Sequence, residues 1–199
     1  MPQPLENPVN NALALENIYL VGLMGAGKTS VGRYLAKNLG KTFYDCDHEV
    51  ERRTGVKIPL IFEIEGEQGF RAREASVLSE LTKLQNVVLA TGGGAVISAE
   101  NRRELASNGT VIYLRASPSD LWQRTRNDRN RPLLQTADPL GRLEQLFLER
   151  DPLYREIASI IEDTGSQSVR TLAQRLQQRL QEHVELLPPE MPGSPIEQR

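Results

Sequence analysis

Gly22–Ser30, "GLMGAGKTS", stands directly after the apolar run Ile18–Val21 ("IYLV") and before "VGRYLAKNLG", whose apolar residues recur at helical spacing. Gly22, Gly27, Lys28 and Thr29 satisfy G-x-x-x-x-G-K-[ST] between a strand and a helix, the context that gives the pattern meaning. Glycines let successive backbone N–H groups turn toward one point, and the following helix adds the positive end of its dipole. The stretch therefore reads as a phosphate cradle formed by Gly25, Ala26, Gly27, Lys28, Thr29 and Ser30. Lys28 can reach the outer phosphates, and the Thr29 hydroxyl suits a Mg²⁺ ligand. The competing account, a tight turn with a solvated lysine, explains neither the strand before it nor the helix after it.

The whole chain bounds the partners of such a cradle. Its 199 residues, 39% apolar, fit one globular α/β domain. A net charge of −2 and a pI near 5.8 leave no positive surface to neutralise a nucleic-acid backbone or an anionic membrane, so a small-molecule partner is expected. No apolar run approaches the roughly 18 residues of a membrane span. With Cys46 as the single cysteine, no intramolecular disulfide can form, and a reducing, cytoplasmic compartment is expected. One cysteine and two histidines also make a transition-metal site improbable. Residues 1–16 lack the basic and apolar regions of a targeting peptide and are expected to form a disordered tail. The stretch 185–199 carries four prolines and no helical period, which marks a second tail and leaves 17–184 as the folded unit.

Within that unit five short β-branched or apolar runs stand out: Ile18–Val21, Thr42–Tyr44, Val87–Ala90, Val111–Leu114 and Ser159–Glu162. Helical patterns lie between them, as in "TSVGRYLAKNLG", "GFRAREASVLSELTKL" and "PLGRLEQLFLERDPLYREIA". Alternation of this kind predicts a parallel sheet covered on both faces, with ligands at the carboxyl ends of the strands.

A phosphate cradle serves motors, switches and kinases alike, so other residues must decide. N-K-x-D, the guanine reader that a GTPase requires, is missing, and no D-x-x-G directly follows a strand. The third strand, "VVLATGGG", carries Gly92-Gly93-Gly94 where a typical Walker B strand has an acid; the glycines let backbone approach a ligand closely or simply form a flexible turn. After the second strand, "FYDCD" sets Asp45 and Asp47 on alternate positions. An extended chain points both carboxylates one way; a helix starting there makes one of them a cap. At a strand's carboxyl end, one acid can hold Mg²⁺ through water and the other can orient or deprotonate an acceptor hydroxyl.

Nineteen of the 24 basic residues are arginine, and Arg124 to Arg131 contains four of them. This density beside Asn and Pro reads as a mobile flap that follows the helix begun by "SPSDLW", the kind of lid that excludes water from a transferring phosphoryl group. Arg131, beside Pro132, is its preferred catalytic arginine, against a plain solvated loop as the alternative.

Six stretches in series, "GLMGAGKTS", "FYDCD", "EGEQGFRAREA", "LATGGG", "NRPLL" and "ERDPLYREIA", resemble the shikimate kinase family of P-loop kinases over nearly all of 17–181. The resemblance implies ATP-dependent phosphorylation of the shikimate 3-hydroxyl, a step toward chorismate and the aromatic amino acids. It also implies a three-layer α/β/α fold whose five-stranded parallel sheet has strand order 2-3-1-4-5 and carries a lid. By the same carry-over, Thr29 is the magnesium ligand with Asp45 nearby, and Asp47 binds substrate hydroxyls and serves as base. Arg71, Gly93 and Arg150 hold shikimate, Arg131 contacts ATP as the lid closes, and Gln167 lies near the adenine. Independently of the family, two separated arginines with an aspartate and backbone amides suit an anionic polyol, although Arg71 could instead pair with Glu74 on a surface and Arg150 could be a solvated charge. A kinase for another hydroxy acid such as gluconate, or a catalytically silent nucleotide-binding module, would share the cradle. A monomer is expected, since no exposed apolar stripe stands out.

Overall fold

The computed structural model describes residues 16–128, 130–165 and 167–186. Five strands run β1 (Ile18–Val21), β2 (Thr42–Asp45), β3 (Val87–Ala90), β4 (Thr110–Arg115) and β5 (Ile160–Asp163), all parallel, in the order β2-β3-β1-β4-β5. Central β1 pairs Ile18 with Val88 of β3 on one side and with Thr110 of β4 on the other. Every residue of β1 and β3 is buried, as a sheet covered on both faces requires, and this is why their sequences are uniformly apolar rather than alternating.

Seven helices accompany the strands among the described residues: α1 (Lys28–Leu39), α2 (Cys46–Thr54), α3 (Ile58–Leu81), α4 (Ala99–Asn108), α5 (Pro118–Thr125), α6 (Pro139–Ile157) and α7 (Val169–Leu186). On one side α1 packs against α7 and the inner strands; on the other, α4 and α6 lie against β4, with α3 against α4 and α5 against α6. Helix α3 is two helices in one: Gly66 adopts φ 69° and ψ −177°, which interrupts the turn geometry. The periodicity starting at Gly69 therefore describes only its second half.

The strand positions agree with the sequence expectation to within a residue at each end. The order implied by the family resemblance is the observed order. The tails read from sequence fall mostly in 1–15 and 187–199, which lie outside the described residues, as does Arg129 of the expected flap. At the borders, Glu16 is tied down by Lys41, whose Nζ donates to its carbonyl at 2.7 Å, and by the Thr110 hydroxyl. Helix α7 continues through Glu185 and Leu186. Arg124 belongs to the last turn of α5 rather than to a flap, because Ser117 caps this helix and Pro118 opens it, leaving room for two full turns before the loop.

Asn17 stitches the sheet at its amino edge. Its Nδ2 donates to the Tyr19 hydroxyl at 3.1 Å and to the Leu84 carbonyl at 2.6 Å, while its Oδ1 accepts from the Val87 amide at 3.1 Å. Removing the side chain takes this partner from the Leu84 carbonyl and the Val87 amide, while the Tyr19 hydroxyl keeps the Thr82 and Asn108 carbonyls. Asn17→Ala should cost about 1–3 kcal/mol of stability in a denaturant titration and leave the KM for nucleotide unchanged.

Candidate active site

The carboxyl ends of β1, β2 and β3 face one cleft. At the end of β1 the chain turns through Gly27, whose φ of 96° is accessible to glycine and not to most L residues, and α1 begins at Lys28 with no side-chain cap. Its first-turn amides are thus left open toward an anion. Gly25, Gly27, Lys28, Thr29 and Ser30 line a cleft of about 280 Å³ together with Asp45, Asp47, Thr91, Gly93, Arg124 and Arg131. Ala26 is buried behind the loop and borders the neighbouring cleft. Lys28 is nearly buried; its Nζ donates to the Gly22 carbonyl at 2.7 Å and the Leu23 carbonyl at 3.0 Å. Burial lowers its pKa to about 8, opposed by the nearby Asp47 carboxylate.

Asp45 ends β2 in extended conformation and caps α2, so the two accounts of this acid both hold in part. Its Oδ1 accepts from the amides of Asp47 at 3.0 Å and His48 at 3.3 Å, and its Oδ2 accepts from the Thr29 hydroxyl at 2.7 Å. A hydroxyl and a carboxylate in contact form a hard-oxygen pair suited to Mg²⁺. Among the described residues no group of three or more His, Cys, Asp or Glu can hold a metal, so a cation here would draw the rest of its ligands from phosphate and water. Asp47, in the first turn of α2, faces the cleft. Burial, reinforced by Asp45, pushes its carboxyl above the ordinary range, with Lys28, Arg131 and Arg71 pulling the other way.

Beyond Asp47 lies a larger cleft of about 370 Å³. Its floor is Gly93 and Gly94, its charged wall Arg71, Glu74 and Arg150, and its apolar wall Ile58, Phe62 and Phe70. Arg71 does pair with Glu74, Nη1 to Oε2 at 2.7 Å, but this is no surface pair: Glu74 is 1% exposed. The other Glu74 oxygen is buried without a hydrogen-bond partner, and burial raises its pKa against the pull of Arg71. Arg150 is likewise buried, at 3% exposure, and its Nη1 donates to the Gly93 carbonyl at 3.2 Å, so it is not a solvated helix charge. Two guanidiniums with spare donors in one pocket can grip a carboxylate.

Arg131 borders both clefts, which places it where a transferring group would pass. Its Nε lies 2.9 Å from Asp128 Oδ2. On the far side of the phosphate loop, a third cleft of about 260 Å³ is lined by Gly25, Arg124, Gly165, Gln167 and Val169, among others. Gln167 borders this cleft with its amide committed: Oε1 accepts from Arg175 Nη2 and Nε2 donates to the Asp163 carbonyl at 3.0 Å. Arg124 spans this cleft, donating to the Gly25 carbonyl at 3.3 Å, the Thr164 hydroxyl at 3.0 Å and the Gly165 carbonyl at 2.5 Å. Sequence reasoning missed Arg124, Glu74 and the apolar wall. Arg124 is masked by the arginines after it, and Glu74 looks like any i,i+3 partner; only Phe62, four residues from Ile58, left a periodic trace.

A family model for shikimate kinase matches residues 24–181. A shikimate kinase of Thiobacillus denitrificans is 64% identical over 165 residues, covering 83% of this chain and 90% of the relative. Among solved structures, shikimate kinase from Acinetobacter baumannii in complex with shikimate superposes with a TM-score of 0.85 at 52% identity, over 87% of this chain and 97% of that one. A gluconokinase from Sinorhizobium meliloti, at 19% identity over 85% of this chain and 94% of that one with a TM-score of 0.57, shares the fold alone. With the match running from the phosphate loop through α7 and high identity over the same span, the chain belongs to the shikimate kinase family.

Proposed function

We propose that this chain transfers the γ-phosphoryl group of ATP directly to the 3-hydroxyl of shikimate, releasing ADP and shikimate 3-phosphate, with the residues of the two adjoining clefts in distinct roles. The observation that carries this assignment is the shared border of a phosphate cradle and an acid pocket at Asp47, Gly93 and Arg131. Gly25–Ser30 hold the nucleotide phosphates through backbone amides, and the cleft at Gln167 takes the base against the loop wall rather than the committed amide. Arg71 and Arg150 bind the carboxylate of shikimate, and Asp47 and the Gly93 backbone orient its hydroxyls.

Each side chain has a stated task. Lys28 exchanges two carbonyl partners for phosphate oxygens and balances the charge that grows between donor and acceptor. Asp47 accepts the proton of the attacking hydroxyl; its raised pKa makes it a stronger base than an ordinary aspartate. Arg131 leaves Asp128 for the transferring group as the lid that carries Arg131 closes and sheds water. Thr29 and Asp45 would hold Mg²⁺. When bound there, the cation would neutralise phosphate charge in the transition state. No covalent enzyme intermediate is required, because donor and acceptor sites adjoin. We also read the chain as a cytoplasmic monomer: its one cysteine is buried, and the most exposed large apolar residues among the described ones, Ile64, Leu148 and Leu186, stand on three different helices.

A coupled assay of ADP release separates the readings. Turnover is expected with shikimate and not with gluconate or without acceptor; turnover with gluconate alone would reassign the acceptor, and tight ATP binding without transfer to any acid would leave a silent module. Lys28→Met should lower kcat by about 10²-fold or more. Because the free enzyme's Lys28 loses its proton near pH 8, kcat/KM for ATP should fall on an alkaline limb centred there, and a profile flat to pH 10 would contradict the role. Asp47→Asn should abolish turnover while ATP still binds. It should also melt higher than wild type at pH 7. The carboxyl ionises at 3.8 when unfolded but at a higher pH when folded, so its burial costs stability above that window; the difference should vanish below it.

A further inference from the structure

Two donors from α6 converge on one oxygen. Arg150 reaches the Gly93 carbonyl at 3.2 Å, and Tyr154, one turn later and fully buried, donates its hydroxyl to the same carbonyl at 2.5 Å. Arg150 has a task in acid binding; Tyr154 has none. Its ring stacks on Tyr113 of β4, with centroids 4.8 Å apart and an interplanar angle of 29°, and Tyr113 in turn donates to Asp151 at 2.9 Å. The phenol is thus fixed from behind, and burial raises its pKa so that it remains a donor.

The neighbouring glycines explain why such a fixture is needed. A Cβ on Gly94 would lie 2.2 Å from the Arg71 guanidinium, and one on Gly92 would lie 1.9 Å from Glu74 Oε1. The acid-binding arginine and its partner therefore demand bare backbone. Bare backbone, however, imposes no steric preference on the peptide between Gly93 and Gly94, which can flip at little cost. In a trans peptide the carbonyl and the following N–H point in opposite directions. With the Gly93 carbonyl held toward α6, the Gly94 N–H is turned away from that helix. Both glycines line the acceptor cleft, and among the described residues no acceptor pairs with the Gly94 amide.

We propose that Tyr154 is a positioning residue for acceptor binding: its hydroxyl locks the Gly93–Gly94 peptide in the orientation that presents the Gly94 N–H to an oxygen of the bound acid. The proposal rests on the acceptor reading of this cleft. It also spares Arg150, which would otherwise be the sole partner of the Gly93 carbonyl and less free to grip a carboxylate.

The test is Tyr154→Phe, which keeps the stacked ring and removes the lock. The KM for shikimate should rise roughly five- to tenfold while the KM for ATP and the melting temperature stay near wild type. Tyr113→Phe, which loses a hydroxyl in the same stack but none at Gly93, should leave the shikimate KM unchanged. In the wild type, the ¹⁵N–¹H signal of Gly94 should shift when shikimate is added, a readout that does not depend on any variant folding. An unchanged shikimate KM in Tyr154→Phe, a parallel rise in both KM values, or a Gly94 signal indifferent to shikimate would overturn the proposal while leaving the kinase assignment intact. A wild-type chain that neither binds nor turns over shikimate would overturn both.

Discussion

The Arg71–Glu74 pair, closed at 2.7 Å with Glu74 shut off from solvent, sets the constraint that organises the acceptor side. A buried ion pair is weak evidence for stability, since the cost of stripping water from two charges can exceed their attraction. Here one Glu74 oxygen is left without any partner, so the pair is incompletely compensated. What the arrangement secures is geometry. The carboxylate aims a guanidinium across the end of β3, and the chain there must shed its β-carbons to make room. Gly92 and Gly94 answer to that placement, and Arg150, Tyr154 and Asp47 meet the same floor at Gly93 or beside it.

On the nucleotide side the same economy appears in another form. Lys28 and Arg131 both already hold partners, carbonyl oxygens in one case and Asp128 in the other. The buried Lys28 charge in particular is not left alone, which would be costly. Thr29 and Asp45 are likewise joined through one hydrogen bond, so the hard-oxygen pair is assembled before any ligand arrives. Preassembly reduces the reorganisation that must accompany phosphoryl transfer.

Much of this was legible in the chain. The inner strands β1, β3 and β4 are runs of buried, mostly apolar residues between turn residues, whereas the edge strands β2 and β5 are partly exposed and end in Asp45 and Asp163, so they rest on shorter apolar runs. The phosphate loop, Asp47, Arg71 and Arg150 were named from motifs, and the fold gathers them at one end of the sheet. Helix α2 and the first half of α3 were harder: "CDHEVERRT" is dominated by charge, and "IPLIFEIE" is rich in β-branched residues that favour strands as readily as helices. Helix α4, "AENRRELASN", buries little beyond Asn101 and Leu105 and so carries almost no period. In the site, a glutamate three residues after an arginine has the same sequence signature on a surface as in a core. Only tertiary packing from β3 distinguishes the two for Glu74. Arg124 was hidden because helix α5 runs through it to Thr125, two residues into the crowded arginines.

The interruption at Gly66 divides α3 into an upstream arm that carries Ile58 and Phe62 and a downstream arm that carries Arg71. Nothing lies within 4 Å of where a Cβ on Gly66 would sit, so the elbow itself is open, while the Arg73–Glu65 ion pair and the Phe62–Phe70 ring contact join its two arms. Ile58 and Phe62 of the apolar wall therefore stand on one lever, and Arg71 with Phe70 on the other. Residue changes at Ile58 or Phe62 can reshape the room in the cleft without altering the arm that carries the Arg71 guanidinium, which gives a lineage built on this scaffold a route to acceptors of other shapes.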